Sequence, residues 1–211
     1  SDLPIADDGS IIAYKILRRK NKNTFVDCHT QRVEQRVGSY VCMDPKLVDW
    51  NRREECSAGL HIARRGYIGN FSGDTVVLAK VAPEDVIVVP HNDANKVRVC
   101  GYHILAELPE GAYSKLKRNS PMTDDKRISD LVSHAIAGNH IERIEEVRIH
   151  GQMGNDVQVT PLLEGKREAR KTKATEAPKV QHTALDDSTN EKTSKKVDPK
   201  KVAKTAAAAA K

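Results

Sequence analysis

Thr75-Val76-Val77-Leu78-Ala79-Lys80-Val81 is a short run of β-branched and aliphatic residues, and Pro83-Glu84-Asp85 turns the chain straight after it. The run is too short for an isolated helix to be stable. It shows no polar alternation, so it reads as a strand buried on both faces. That one segment demands a sheet with something packed on each side of it. Val86-Ile87-Val88-Val89 follows as another short strand and stops at Pro90.

The same pattern of short strands and hard stops fills the first half of the chain. Asp7-Asp8-Gly9 is a turn signal that leads into Ile11-Ile12-Ala13-Tyr14-Lys15-Ile16-Leu17, closed by the basic cluster Arg18-Arg19-Lys20. Residues 25–29 form a short extended piece, in which neighbouring Cys28 and His29 would face opposite ways. Gly38 opens Ser39-Tyr40-Val41-Cys42-Met43, and Asp44-Pro45 ends it. Residues 50–55 are charged and expected at the surface. Gly59-Leu60-His61 begins another extended segment. Tyr67, Ile68 and Phe71 are spaced for a short helix within residues 63–71. Residues 97–105 read as one strand, with Val97, Val99, Gly101, His103 and Leu105 on one face. Arg98, Cys100, Tyr102 and Ile104 take the other.

The second half begins differently. Thr123-Asp124-Asp125 is a helix N-cap signal, and Ile128, Leu131, Val132, Ala135 and Ile136 make one apolar helical face that ends near Gly138-Asn139. Residues 144–149 and 156–159 are spaced to pair as a hairpin. The resulting expectation is an α+β protein. Residues 1–112 form a compact domain of short, twisted, mostly antiparallel strands with one or two short helices. Residues 113–165 form a small helix-plus-hairpin appendage that packs on it. Residues 166–211 form a disordered tail rich in lysine and alanine.

Charge separates the tail from the rest. The 211-residue chain carries a net charge of +6. Residues 166–211 hold 13 Lys and Arg against 6 Asp and Glu, and the preceding 165 residues hold 22 against 23. The folded part is therefore close to neutral, and a basic, nucleic-acid-binding fold is not what this composition describes. The tail has no aromatic residue and no isoleucine, so it has little to bury against the entropy of ordering. Its lysines, Lys195, Lys196, Lys200, Lys201 and Lys204 among them, suit attachment to a polyanion, DNA or an anionic membrane, by counterion release. No stretch approaches the ~18 apolar residues of a membrane-spanning helix. The four cysteines, Cys28, Cys42, Cys56 and Cys100, lack C-x-x-C spacing and read as reduced thiols. The chain starts at Ser1 with no initiator Met, which predicts upstream trimming or processing.

Several small motifs recur in a fixed order. They are Asp8-Gly9 with Ala13-Tyr14-Lys15, then Asp27-Cys28-His29, then Val37-Gly38 with Met43-Asp44-Pro45-Lys46. Cys56-Ser57-Ala58-Gly59-Leu60-His61 comes next, followed by Pro83-Glu84-Asp85-Val86-Ile87. Lys96-Val97-Arg98-Val99-Cys100-Gly101-Tyr102 closes the set. In that order they resemble the carboxy-terminal domain of the bacteriophage rIIB proteins over about the first half of the chain. Ala63 stands where that family often has a further cysteine. The resemblance makes Tyr14, Lys15, Asp27, His29, Cys56, Gly59, His61, Asp85, Arg98, Cys100 and Tyr102 the signature positions. It implies an accessory role in infection timing, meaning lysis inhibition and protection from early lysis provoked by a resident prophage. It also implies a phage or host protein partner, with an rIIA-like protein the example, and a place in the infected bacterial cytoplasm near membrane or nucleoid.

The signature does not name a reaction. Cys28, His29, Cys56, His61, Cys100 and His103 are metal-ligand types, but they lack the tight pairs of a structural zinc site, so no metal is expected. Cys56 with His61 or His29, oriented by Asp27, has the makings of an activated thiolate. A Gly-Leu-His strand, a tyrosine-bearing short helix and a valine-rich strand are similar to ADP-ribosyltransferases. That likeness would set His61 on a ribose, stack Tyr67 on nicotinamide and make Glu107 the candidate acid. Each motif also has a plainer reading, in which cysteine packs and histidine pins a turn. The expectation is therefore a binding protein without a cofactor. The enzyme and a virion structural component stand as alternatives, and self-association stays open.

Overall fold

The computed structural model describes residues 3–163. In chain order the elements are β1 (Ile11–Arg19), β2 (Phe25–Val26), β3 (Glu34–Gln35), β4 (Ser39–Met43), β5 (Leu60–Ala63) and α1 (Arg65–Ile68). There follow β6 (Thr75–Val81), β7 (Val86–Val88), β8 (Lys96–Val99), β9 (Gly101–Glu107), α2 (Ala112–Lys117), α3 (Lys126–Ile136), β10 (Glu145–Ile149) and β11 (Val157–Pro161). The protein is α+β. Its strands pair antiparallel except where β10 runs parallel to β4.

Among the described residues the strands make an eight-stranded sheet in the order β11-β10-β4-β9-β6-β1-β2-β3 and a three-stranded sheet in the order β5-β8-β7. The large sheet is covered on both faces, as the apolar run of β6 requires. Alternate residues of β6 and β1 divide between two cores. Ala13, Leu17, Val77, Ala79 and Val81 pack with Ile62, Val97 and Val99 of the small sheet. Ile12, Tyr14, Ile16, Val76 and Leu78 pack with Ile68, Leu116, Ile128, Val132 and Ala135 of the helices. Lys15 falls between Ala13 and Leu17 in register, so it points toward the small sheet, in what is otherwise an apolar layer.

The helical face read from residues 128–136 is the buried face of α3, and Asp125 caps it by accepting from the Arg127 amide. The hairpin of β10 and β11 forms as read, and β10 joins the large sheet beside β4. Helix α2 was not anticipated. It starts at Gly111, whose φ is 91°, and its sign was the spacing of Leu108, Ala112 and Leu116, all buried.

Two readings are corrected. Residues 97–105 are not one strand. The chain breaks at Cys100, where β8 belongs to the small sheet and β9 to the large one. Cys100 bonds sideways at that point, its amide to the Asp85 carbonyl at 2.8 Å and its carbonyl to the Met43 amide at 2.9 Å. The face register flips there, so Val97 and Val99 share a core with Tyr102 and Ile104 while Leu105 goes to the other. The second correction concerns His29. The extended piece ends at Val26, and Asp27 to Gln31 is a turn, so Cys28 and His29 do not alternate across a strand. The turn is organised by the Asp27 carboxylate, which accepts from the Thr30 amide and hydroxyl and from the Arg32 and Val33 amides.

Candidate binding cleft

The signature residues come from segments far apart in sequence, and the fold gathers most of them around one cleft of about 760 Å³. Strand β1 contributes Tyr14 and Lys15, the turn after β2 contributes Asp27 and His29, the loop into β5 contributes Cys56 and Gly59, and β5 itself contributes His61. Tyr67 enters from α1 and Tyr102 from β9. His29, His61, Cys56 and Tyr67, the four side chains with candidate chemistry, therefore share one cavity. That volume lies within the ~300–1,000 Å³ range of small-molecule sites.

Lys15 donates to the His61 carbonyl at 3.0 Å and lies 4.6 Å from the centroid of the Tyr102 ring. Burial lowers its pKa to about 8, against the pull of Cys28 and Asp27. Tyr102 is held in turn by donating to Gln35 Oε1 at 2.6 Å, and burial raises its pKa. His61 is kept neutral. Burial first, then the charges of Lys15, Arg98 and Lys96, push its pKa down to about 4, and a hydrogen bond to the Gly59 backbone opposes them only in part.

Lys96 was not singled out from the sequence, although it opens the last motif. Its ammonium lies 3.3 Å from Cys56 Sγ, 3.3 Å from an Asp93 oxygen and 5.1 Å from the centroid of the Tyr67 ring. Burial disfavours its charge, but hydrogen bonds to Tyr67, Cys56 and Asp93 outweigh that and raise its pKa. Cys56 is exposed and Cys28 is half-buried. Burial raises the Cys28 pKa, and its thiol donates to the Ile16 carbonyl at 3.3 Å. Phe71 extends the aromatic wall, edge-on to Tyr67 with centroids 6.2 Å apart.

Three signature residues do not line the cleft. Arg98, wholly buried, donates to the Glu54 carbonyl at 2.8 Å and to that of Asn51, and so ties down the loop that carries Cys56. Asp85 accepts from the Tyr40 hydroxyl at 2.9 Å and lies 3.5 Å from Cys100 Sγ. Burial pushes the Cys100 thiol up to about 11. Glu107 is elsewhere again, ion-paired with Arg19 at the surface. The acid that does line the cleft is Asp27. Gly59 has a φ of 141°, and a Cβ there would meet Val48 Cγ1 at 3.0 Å, so the sharp entry to His61 needs glycine.

Among the described residues no group of three or more His, Cys, Asp and Glu is placed to hold a metal ion, and no helix is long and apolar enough to cross a membrane. The tail positions Lys195, Lys196, Lys200, Lys201 and Lys204 lie outside the described residues.

No solved structure matches the chain. Protein rIIB of Enterobacteria phage T4 is 34% identical over 114 residues, which is 52% of this chain and 35% of that protein. This chain thus covers about a third of its relative's length. The family described as Bacteriophage T4 protein rIIB matches residues 1–116, which supply most of the cleft lining while Ile149 and residues 151–154 beyond the match supply the rest, and the chain belongs to that bacteriophage rIIB family.

Proposed function

We propose that this rIIB-family protein acts by binding, and that the cleft between its two sheets is where it binds. One observation carries the reading: signature residues from β1, the turn after β2, the loop into β5, and β9 line the same cavity. A signature that only maintained the fold would be scattered through the cores. The family's implied role, control of infection timing through lysis inhibition or protection from early lysis, would then follow from occupancy of the cleft, with an rIIA-like protein as a candidate partner. The basic residues after 166 would add electrostatic attachment to DNA or an anionic membrane.

The test is a phage carrying His61→Ala or Tyr67→Ala, with the melting curve of each purified variant as control. Folded variants should shift lysis timing or plaque form. Wild-type infection with both would remove the cleft from the function. A chain ending at Gly165 should keep its fold and lose affinity for random duplex DNA. Equal affinity of the two chains would remove the tail from the proposal.

The enzyme reading keeps one supporting observation, the convergence of His61 and Tyr67. Among the described residues no free carboxylate lines the cleft for it, because Glu107 is paired with Arg19 away from the cleft and Asp27 is bonded to its own turn. Incubation with labelled NAD separates the two readings. Label transfer that is lost in His61→Ala would favour the enzyme.

A further inference from the structure

Lys15 differs from the ion-paired lysines, and from Lys117, whose ammonium also meets carbonyls and a ring but at the exposed surface. Lys20, Lys80, Lys96 and Lys126 each meet a carboxylate. The Lys15 ammonium meets a carbonyl and an aromatic ring, and no carboxylate among the described residues pairs with it. An ammonium has three donors, and the His61 carbonyl takes one. An unpaired cation in a partly desolvated place is costly, and β1 would be more stable with an apolar residue there. The charge of Asp27 on the cleft wall relieves this only in part, since its oxygens are committed to Thr30, Arg32 and Val33 and make no ion pair with Lys15. The cleft thus presents a positive floor. Another part of its wall is aromatic, made by the Tyr67–Phe71 pair, with the Lys96 ammonium 5.1 Å from the centroid of the Tyr67 ring.

We infer that the cleft takes a small molecule carrying an oxyanion on a planar, apolar body, with the oxyanion at Lys15 and the body along Tyr67 and Phe71. A nucleoside phosphate fits this class in charge, shape and size. The inference rests on the reading of the cleft as the binding site, and it names the ligand chemistry. His61, neutral at physiological pH, adds no charge of its own and serves as a hydrogen-bonding wall.

Four probes test it, titrated into the full chain at pH 7 and low salt by calorimetry or NMR: AMP, adenosine, benzoate and inorganic phosphate. AMP should bind at least ten-fold more tightly than adenosine or phosphate. Comparison with benzoate distinguishes a phosphate from a carboxylate as the oxyanion. Lys15→Met should weaken AMP at least ten-fold with a melting temperature no lower than the parent's, and Lys15→Arg should recover most of the loss. The titratable groups around Lys15 are Asp27, Cys28, His61 and Tyr102. With a Lys15 pKa of about 8, raising the pH from 7 to 9 should weaken AMP about ten-fold in the parent and not in Lys15→Met. Equal binding of AMP and adenosine, no binding of either oxyanion-bearing ring, or undiminished AMP binding by folded Lys15→Met would each overturn the inference. Such a result beside altered lysis timing in His61→Ala would leave the cleft reading intact and remove only its ligand class. Lys15-dependent AMP binding with normal lysis timing in that phage would do the reverse.

Discussion

Two clusters of signature residues have similar chemistry and opposite character. Around Asp85, the carboxylate, the Tyr40 hydroxyl and the Cys100 thiol satisfy one another, Arg143 stacks 3.6 Å from the Tyr40 ring centroid, and the backbone of Cys100 is bonded on both sides. A Cβ at Gly101 would collide with the Tyr40 hydroxyl and come within 2.9 Å of an Asp85 oxygen. Its polar groups are thus spent on one another, and Gly101 has no room for a side chain. Around Lys15 and His61 the same kinds of groups surround a cavity, with a cation lacking an acid and a histidine held neutral. The difference teaches which signature positions keep the frame and which face a ligand. A motif of Asp, Cys, His and Tyr does not make that distinction. The satisfaction of its polar groups does.

Substitutions should separate the two kinds of residue. The largest effect is expected at Arg98, a frame residue whose guanidinium holds the loop before β5. Arg98→Ala should cost on the order of 3 kcal/mol in a denaturant titration, because it leaves carbonyls unmet and opens a void. A loss under about 1 kcal/mol would move Arg98 out of the frame. Gly59→Val comes next, at about 1–3 kcal/mol, from a backbone that resists a side chain and from the contact with Val48. An unchanged melting curve would show that the loop relaxes freely.

The pH dependence probes the cleft itself. The unfolded chain binds a proton at His61 near pH 6.5 and the folded chain only near pH 4, so stability is present above 6.5 and lost as the pH falls from there toward 4. The shift converts to about 3 kcal/mol, which the partial exposure of His61 reduces to on the order of 2 kcal/mol, and His61→Gln should flatten that part of the stability–pH curve. A curve unaltered by the substitution would mean that His61 titrates normally. The smallest stability change is expected at Lys15, where Lys15→Met should leave stability within about 1 kcal/mol of the parent or raise it. A large loss at Lys15 would erase the contrast, since it would make this residue part of the frame.

Much of the fold could be read locally. Strands β4 and β6, helix α3 with its Asp125 cap, and the β10–β11 hairpin follow from side-chain periodicity, capping and turn residues within each segment. The candidate residues His29, Cys56, His61 and Tyr67 were legible as chemistry without a place. Lys96 was passed over because a lysine opening a strand looks like a solvated end, whereas it is 4% exposed and faces Cys56 and Tyr67.

By itself the sequence determined the segments, their stops, and the need for a sheet covered on both faces, because each of these depends on neighbours within a few residues. The tertiary structure decided the break at Cys100, the parallel pairing of β10 with β4 and the turn that brings His29 to the cleft. It also decided that Lys15 meets a ring and a carbonyl where the ion-paired lysines meet acids. Those outcomes depend on partners up to about a hundred residues away, and on which strand claims each backbone donor. Local periodicity carries no record of that choice.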